Sequence, residues 1–353
     1  MEFFEIEQKN LNFYAPRFEV LIEGENILYK GVEIISVTVN NKLKDCDDFL
    51  ISINNPELKW LEDPLFQLGK EVEIRMGYAG QLETMIIGDI SALEPTFSSS
   101  GPHQIGIRGF DLMKRLQLGE RFRSWKDETD STIAARIADE HHLLTAGIQS
   151  TDTVHPKIMQ HNITDFNFLK NRAKKNGFEM FVQLRTLYFR KPKESKDPIT
   201  NLVLGKTLTS FSPELNIANK PSQVTVRGWN PREKQEIVGT AQRGQESNTE
   251  PGRLSVSQII QNLYGTVERG ICEPVYTKEE AERQAKAILD DSGDQFITGT
   301  GECVGIPEIR AGRYINIDGL GKMFSMKYYI ESTTHKIDTS GYTTSFSVKG
   351  NAL

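Results

Sequence analysis

The sequence predicts an α+β protein that is mainly β, with two strand-rich halves on either side of a helical block. Short apolar runs that alternate with polar residues fill residues 17–111 and return after residue 201. Such alternation is typical of antiparallel strands with one buried face. Residues 125–190 instead carry two helical patterns and a hairpin pattern. A chain of 353 residues is long enough for two or three packed units.

The first half, residues 1–112, is predicted to form a β unit. Its candidate strands cover residues 18–22, 34–39, 49–53, 72–76, 85–90 and 105–108. Turn-forming residues separate them, among them the Asn-Asn-Pro sequence at 54–56 and Gly69. Six strands in so short a stretch favour a small barrel or sandwich, because an open sheet would leave exposed edges.

The central block, residues 113–200, is predicted to contain two helices and then a hairpin. Residues 130–132 are candidate acceptors for the first amides of one helix, and Ile133 and Ile137 lie on its apolar face. A second helix is predicted from Thr164, a candidate N-cap, to Gly177, where a left-handed residue ends many helices. Residues 178–189 follow as a hairpin with its turn near residues 185 and 186.

Strand patterns return in the second half, which we assign to residues 201–238 and 295–353 as a second barrel. Residues 239–294 are predicted to be a loop followed by a helical insertion. One helix spans Val256 to Leu263, with apolar residues at helical spacing. Thr277 and Glu280 form a candidate capping box for the other, which Gly293 is predicted to end.

Composition argues against several classes of function. The chain is 38% hydrophobic and 25% charged, with a net charge of −6, which disfavours gripping nucleic acid or anionic lipid by charge. No apolar run is long enough to cross a bilayer, and the acidic N-terminal residues 1–7 are unlike a secretory signal. Cys46, Cys272 and Cys303 show no paired spacing, so we expect neither a disulfide frame nor a zinc site.

Four histidines lie close together in the sequence: His141, His142, His155 and His161. Adjacent helical residues diverge by about 100°, so His141 and His142 are badly placed to hold one ion. We predict no metal site here.

The carboxylates and glycines also give no catalytic pattern. Asp127, Glu128 and Asp130 precede one helix, and Asp290 and Asp291 end another; neither set makes a convincing acid and base pair. Residues 299–305 are rich in glycine but do not match a dinucleotide loop. We therefore predict no catalytic residue and no cofactor.

Five motifs, in order, resemble the late control gene D family of contractile phage tails. They lie at residues 69–77, 86–95, 109–116, 130–140 and 162–169, followed by Gly177-Phe178. That family includes the baseplate hub of T-even-type phages and the N-terminal part of the type VI secretion spike protein. The positions that carry the resemblance are Gly69, Gly77, Gly88, Gly109, Phe110, Asp111, Leu116, Ile133, Ile137, Phe168, Leu169, Gly177 and Phe178.

The resemblance implies a non-enzymatic, homotrimeric baseplate hub. Each chain would carry two tube-like antiparallel β-barrels. Three chains would then form a ring of six barrels, which joins a hexameric inner tube to a trimeric spike. The chain stops shortly after the second barrel, so we expect the spike to be a separate protein. Other baseplate proteins are further expected partners, while specific nucleic acid and membrane insertion are not expected. Assembly would take place in the bacterial cytoplasm, for a phage tail, a tailocin or an extracellular injection particle.

Two other classes of function are kept as alternatives. A baseplate-associated enzyme that degrades peptidoglycan would need a glutamate with a raised pKa in a cleft. A carbohydrate-binding β protein would use Trp60, Trp125 and Trp229 as stacking platforms, although tryptophans in a chain of this size more often belong to the core.

Overall fold

The computed structural model of the chain describes residue 9 and residues 13–191, 197–230, 234–242, 245, 253–272, 275 and 277–351. The acidic N-terminal residues 1–7 and most of the predicted loop before residue 253 lie outside the described residues. The prediction of a mainly β, α+β fold is confirmed.

The strands are β1 Pro16–Ile22, β2 Glu25–Asn26, β3 Ile34–Lys42, β4 Asp48–Asn54, β5 Glu71–Tyr78, β6 Gln81–Thr96, β7 Gln104–Asp111, β8 Glu120–Trp125, β9 Glu128–Thr129, β10 Leu144–Ile148, β11 Val154–His155, β12 Ile158–Thr164, β13 Glu179–Gln183, β14 Thr186–Arg190, β15 Asn201–Val203, β16 Leu208–Leu215, β17 Gln223–Asn230, β18 Gln235–Gln242, β19 Glu268–Cys272, β20 Ile297–Val304, β21 Tyr314–Asp318, β22 Met326–Asp338 and β23 Gly341–Gly350. The α-helices are α1 Asp130–Glu140, α2 Asp165–Asn176, α3 Val256–Tyr264, α4 Lys278–Asp294 and α5 Gly321–Phe324. Short 3-10 helices cover Ile27–Lys30, Pro56–Leu58, Pro64–Phe66 and Leu112–Gln117.

One continuous sheet contains most strands of both halves. Its order is β16-β20-β23-β22-β3-β4-β7-β6-β5-β1-β2, with β21 beside β22 and β15 beside β21. Among the described strands, no ladder closes either half on itself, so the two closed barrels predicted from the sequence are not shown. The six strands predicted for the first half all lie within β1 and β3–β7.

The two halves meet where β3 pairs with β22. The antiparallel ladder runs from Lys42 opposite Ser332 to Val37 opposite Ile337. The N-terminal part of β22 pairs instead with β21, and its other edge pairs with β23. One long strand therefore belongs to the second half and also continues the sheet of the first. We call the β3–β22 ladder the seam.

Side chains reinforce the seam. Ile337 and Tyr342, from the second half, are part of the first half's hydrophobic core. Buried Arg310 donates from Nη2 to the carbonyl oxygen of Thr84 at 2.7 Å. The halves therefore share apolar core and hydrogen bonds besides the ladder.

The central helices begin and end at identifiable caps. Thr164 Oγ1 accepts from the amide of Asn167 at 3.2 Å, as predicted for the start of α2. Gly177 ends α2 with φ 66°, a left-handed conformation that favours glycine. For α1 the N-cap prediction was wrong: Thr129 supplies the cap, accepting from the amide of Thr132 at 3.2 Å.

The predicted hairpin is confirmed as β13 and β14, joined through residues 184 and 185. The structure adds a third strand, because β10 pairs in parallel with β14. Helices α1 and α2 pack with this sheet in one core, which contains Ile133, Ile137, Phe168 and Leu169.

The assignment of β17 to the second half's sheet was wrong. β17 pairs with β18 and β19 in a separate three-stranded sheet, whose core also contains Ala281, Ala285 and Leu289 of α4. Period-two alternation shows that a strand has a buried face but does not identify the strand beside it. Helix α4 also continues to Asp294, one residue past Gly293. The domain bounds given above stay predictions.

His335 is buried in the seam, on β22. Ile309 O, which can only accept, lies 2.8 Å from Nε2, so Nε2 carries the ring proton. Nδ1 then accepts from the hydroxyl of Tyr342 at 2.9 Å. Burial, and next the positive charge of Arg310, lower the pKa of His335 to about 3. The folded protein therefore holds a neutral imidazole here.

This histidine should make stability depend on pH. Because the folded pKa lies below the unfolded value of about 6.5, the unfolded chain binds more protons between pH 6.5 and pH 3, and stability falls as pH falls. We expect the free energy of unfolding to drop by about 1.4 kcal/mol per pH unit more in the wild type than in His335→Gln. Denaturant titrations between pH 6.5 and pH 4 measure this difference. The exposed His142→Gln should keep the wild-type slope; a wild-type slope in His335→Gln as well would contradict the assignment.

Candidate functional site: a basic cleft beside the central helices

The four clustered histidines do not converge on one site. His141 Nε2 lies 2.9 Å from Asp165, while His155 is buried beside Asp130. His142 is exposed, and so is His161, whose ring makes a T-shaped contact with the ring of Phe122 at a centroid distance of 4.9 Å. In the part of the chain that the structure describes, no group of three or more His, Cys, Asp or Glu side chains could hold a metal ion.

Asp130 is instead the centre of a buried polar network. Arg172 Nε donates to its Oδ1 at 2.5 Å, and Arg172 Nη2 donates to its Oδ2 at 3.0 Å. Asn176 Nδ2 adds a bond of 2.6 Å to Oδ2. Burial raises the pKa of Asp130, but the bonds from His155 and Arg172 outweigh it and lower this pKa to about 2. The network ties the start of α1 to the last turns of α2.

A second network surrounds Asp165 at the start of α2. Its carboxylate accepts from Arg123 of β8, from Gln160 of β12 at 2.8 Å, and faces His141. Burial opposes ionisation, but these hydrogen bonds lower the pKa of Asp165. Both networks fix the helices on their sheets, and every acidic group in them already has partners.

The other candidates are also placed apart. Glu128 Oε1 pairs with Arg136 Nη1 at 3.0 Å, far along the chain from Asp290 and Asp291 on α4. The glycine-rich residues 299–305 mostly form β20, where the rings of Phe211 and Phe346 lie against Gly299 and Gly301. Cys46, Cys272 and Cys303 are free thiols. Trp60 and Trp125 are buried in different cores and Trp229 is exposed, so they do not form one stacking surface.

The residues that carry the family resemblance lie in turns and cores. Gly77, Gly88, Gly109, Phe110 and Asp111 are in β5, β6 and β7, and Gly69 is in the turn before β5. Leu116, Ile133, Ile137, Phe168 and Leu169 meet in the central core, with Phe110 and Phe178 packed against it. Gly177 ends α2. None of these residues lines a shared polar site in the described chain except Gly177 and Phe178, which border the cleft described next.

A cleft of about 910 Å³ opens between α2, α4 and the strands β22 and β23. The turn after β3 also contributes, through Leu43 and Lys44. The two helices approach closely at Gly177, where a Cβ would lie 3.4 Å from the Cβ of Ala287. We call this cavity the basic cleft, because basic side chains dominate its lining: Lys44, Lys170, Lys174, Lys191, Arg253, Arg283, Lys286, Lys327 and Lys349.

The charge of the basic cleft is opposite to that of the chain. Its nine basic side chains face three acidic ones, Glu179, Asp290 and Asp291, which gives a formal charge of +6. The whole chain carries −6. A concave site lined by one sign of charge concentrates its field and attracts ions of the other sign.

Helical spacing places the basic groups of α4 in the cleft. Arg283, Lys286 and Asp290 lie three and four residues apart and share one face. The face of Ala281, Ala285 and Leu289 is buried against the three-stranded sheet. On α2, Lys170 and Lys174 are likewise four residues apart. On each helix, the basic side chains that line the cleft therefore share one face.

Some basic groups of the cleft already have partners. Lys44 pairs with Glu331 at 3.1 Å, and Arg283 donates to Thr153 at 2.9 Å. Lys174 and Lys286 are exposed and Lys327 is half-buried. None of these three forms an ion pair with a residue that the structure describes. They are the side chains best placed to meet an incoming negative group.

Glu179 and Tyr329 form the floor of the cleft. The hydroxyl of Tyr329 donates to Glu179 Oε2, and Arg190 donates to Oε1 from Nε at 3.1 Å. Burial raises the pKa of Glu179 despite these bonds. The Tyr329–Glu179 bond joins the second half to the central block directly beneath the cleft.

Sequence reasoning missed the cleft because its residues are far apart in the chain, from Lys44 to Lys349. Weak local signals existed in the paired basic residues of α2 and α4. Arg172 was a clearer signal, since it stands on the apolar stripe of α2 beside Leu169 and Ala173, and a charged residue on a buried stripe needs a partner.

This fold is that of phage tail proteins. The chain matches the 43-kDa tail protein of prophage MuSo2 from Shewanella oneidensis with a TM-score of 0.72 and 15% identity, over 95% of this chain and 98% of that one. It matches a tail protein from Neisseria meningitidis with a TM-score of 0.71 and 15% identity, over 96% and 97%. A component of the Escherichia coli type VI secretion system matches with a TM-score of 0.57 and 12% identity, over 94% and 76%.

The chain belongs to the Alg8 N-terminal domain family, whose model matches residues 14–339. No curated protein sequence matches it. The resemblance to the late control gene D family remains a prediction. Among the described helices, none combines the length and the apolar character needed to cross a bilayer.

The Asp130 network leads to a stability prediction. Replacing Arg172 by Met should leave a buried carboxylate without its guanidinium and lower the free energy of unfolding by about 3–5 kcal/mol. Arg136→Met is the matched control: Arg136 is 59% exposed in its pair with Glu128, so its loss should cost less than about 1 kcal/mol. Denaturant unfolding of both variants measures the difference. Equal effects would show that Asp130 does not depend on Arg172.

Proposed function

We propose that this chain is a structural, non-enzymatic hub protein in the tail or baseplate of a contractile injection machine. The observation that carries the proposal is the overlap of almost the whole chain with almost the whole of two tail proteins. Both halves, the central block and the insertion are included in that overlap. The role therefore rests on the complete arrangement rather than on one common β unit.

Two β halves joined in one chain suit a protein that connects a sixfold-symmetric tube to a threefold-symmetric spike. Each half has its own core, and the seam fixes one half against the other. Three copies of such a chain would present six β units with threefold symmetry, which matches a hexameric tube on one side and a trimeric spike on the other. In this proposal the two halves act as tube-like units, with the β17–β19 sheet and α4 outside them.

The proposed partners are a second and third copy of the chain, an inner tube protein, a spike protein and other baseplate proteins. The likeness to a component of the type VI secretion system supports a machine of this class. Assembly would begin in the bacterial cytoplasm and end with the protein in the baseplate of a particle.

Assembly in solution tests this role. Light scattering of the purified chain should give three times the chain mass of 39.9 kDa, because a ring closed by head-to-tail contacts buries both edges of each copy. Electron microscopy of the chain mixed with tube and spike proteins from the same source should show a particle with threefold symmetry. A stable monomer that joins neither protein would contradict the proposal.

Glu179 favours one alternative, a peptidoglycan-degrading enzyme. It is a buried glutamate with a raised pKa at the floor of a cleft, which is the environment of a general acid in glycoside hydrolysis. Against this role, both of its oxygens accept hydrogen bonds from Arg190 and Tyr329. We therefore infer that Glu179 holds the cleft floor together.

A zymogram on peptidoglycan separates these two functions. We expect no clearing by the wild-type chain, and none by Glu179→Gln. Clearing by the wild type that Glu179→Gln abolishes, with folding retained by circular dichroism, would establish the enzyme and overturn the structural assignment.

A further inference from the structure

We propose that the basic cleft binds an acidic segment of a partner polypeptide, in which carboxylates alternate with apolar side chains. The proposal concerns an interaction surface of the folded chain and does not depend on the assembly proposed above. It would hold for any partner that presents such a segment.

Charge is the first argument. The cleft carries +6 while the chain as a whole carries −6, so the residues outside the cleft carry a larger net negative charge than the whole chain. That net negative charge repels an acidic partner, whereas the cleft attracts it. Complementary charge of this kind directs encounter and selects the binding site. The charge of the basic cleft thus favours an acidic partner.

The distribution of the lysines is the second argument. Lys174 projects from α2, Lys286 from α4 and Lys327 from β22. They stand on three separate elements and form no ion pair with described residues. A ligand with several negative groups spaced along a chain uses all three, whereas one compact anion does not need walls built from separate elements.

The apolar lining is the third argument. Phe178 and Ala287, both half-buried, line the cleft together with the buried Leu43 and Met326. Apolar side chains of a bound segment would gain from contact with them, at about 25 cal/mol per Å² removed from water. The cleft therefore suits a polypeptide with mixed carboxylate and apolar side chains better than a purely polar ion.

Nucleic acid is a polyanion too, but the lining fits it poorly. Single strands bind where aromatic faces are open for bases to stack. Here Tyr329 is buried, and Tyr314 packs on it with ring centroids 4.9 Å apart. Phe178 is half-buried and packs against Phe189, with ring centroids 5.3 Å apart.

Fluorescence anisotropy with a labelled dodecapeptide tests the proposal. The probe is Glu-Leu-Gly repeated four times, titrated with the full chain. We expect saturable binding that becomes at least about tenfold weaker in the triple variant Lys174→Glu, Lys286→Glu, Lys327→Glu, because three attractive contacts become repulsive. The triple variant Lys126→Glu, Lys157→Glu, Lys206→Glu changes net charge equally at exposed sites outside the cleft. It should bind within about twofold of the wild type.

The outcomes are distinct. Equal weakening in both triple variants would show an effect of net charge alone and overturn the proposal, as would an absence of saturable binding by the wild type. A twelve-nucleotide thymidine strand is titrated in the same way. If it binds more tightly than the peptide and depends on the same cleft lysines, the ligand of the cleft is nucleic acid and the proposal of an acidic peptide is wrong. If the cleft variant is misfolded by circular dichroism, the milder Lys286→Met is tested, and its unchanged affinity would count against the cleft.

Discussion

The pairing of β3 with β22 is the constraint on which the rest of the structure depends. It places backbone groups from the two ends of the chain in one ladder, and buried backbone amides and carbonyls must be paired. Because β22 also pairs with β21 and β23, the strands of the second half cannot move relative to the first half without breaking the hydrogen bonds between β3 and β22. Arg310 and the core positions of Ile337 and Tyr342 depend on the same register.

The basic cleft is a product of that constraint. Its floor is the hydrogen bond between Tyr329 of β22 and Glu179 of β13, just before the part of β22 that pairs with β3. One wall is α2, which the Asp130 and Asp165 networks hold in place. The other is α4, which packs on the three-stranded sheet. The cavity is formed by residues from α2, α4, β13, β22, β23 and the turn after β3. None of these segments contains a recognisable binding motif. The basic residues of the cleft come together only because distant segments pair and pack against one another. Their clustering therefore cannot be recognised in the linear sequence.

Local physics made much of the fold predictable. Period-two alternation located the strands of the first half, and the caps at Thr164 and Gly177 bounded α2. The capping box of α3 at Ser255 and Gln258 was also readable, with a serine three residues before a glutamine, and was missed. Thr129 replaced Asp130 as the cap of α1 because the carboxylate of Asp130 is committed to Arg172, a contact 42 residues away.

What could not be predicted was pairing between distant segments. Thr334 and Asn40, which share a hydrogen bond across the seam, are 294 residues apart. The alternation of apolar and polar residues in one strand does not identify the strand that pairs with it. For the same reason β17 was assigned to the wrong sheet. The convergence of Lys174, Lys286 and Lys327 depends on the pairing of distant strands. The candidate site could therefore not be predicted from the sequence alone.

The seam also bears on how the protein would carry mechanical load. A pull that drives one half along its strands past the other stretches all the ladder bonds between β3 and β22 together, so they share the force. A pull that separates the strands from one end would break the bonds one after another. A chain built in this way resists shear along the strands better than it resists peeling that starts from one end of the ladder.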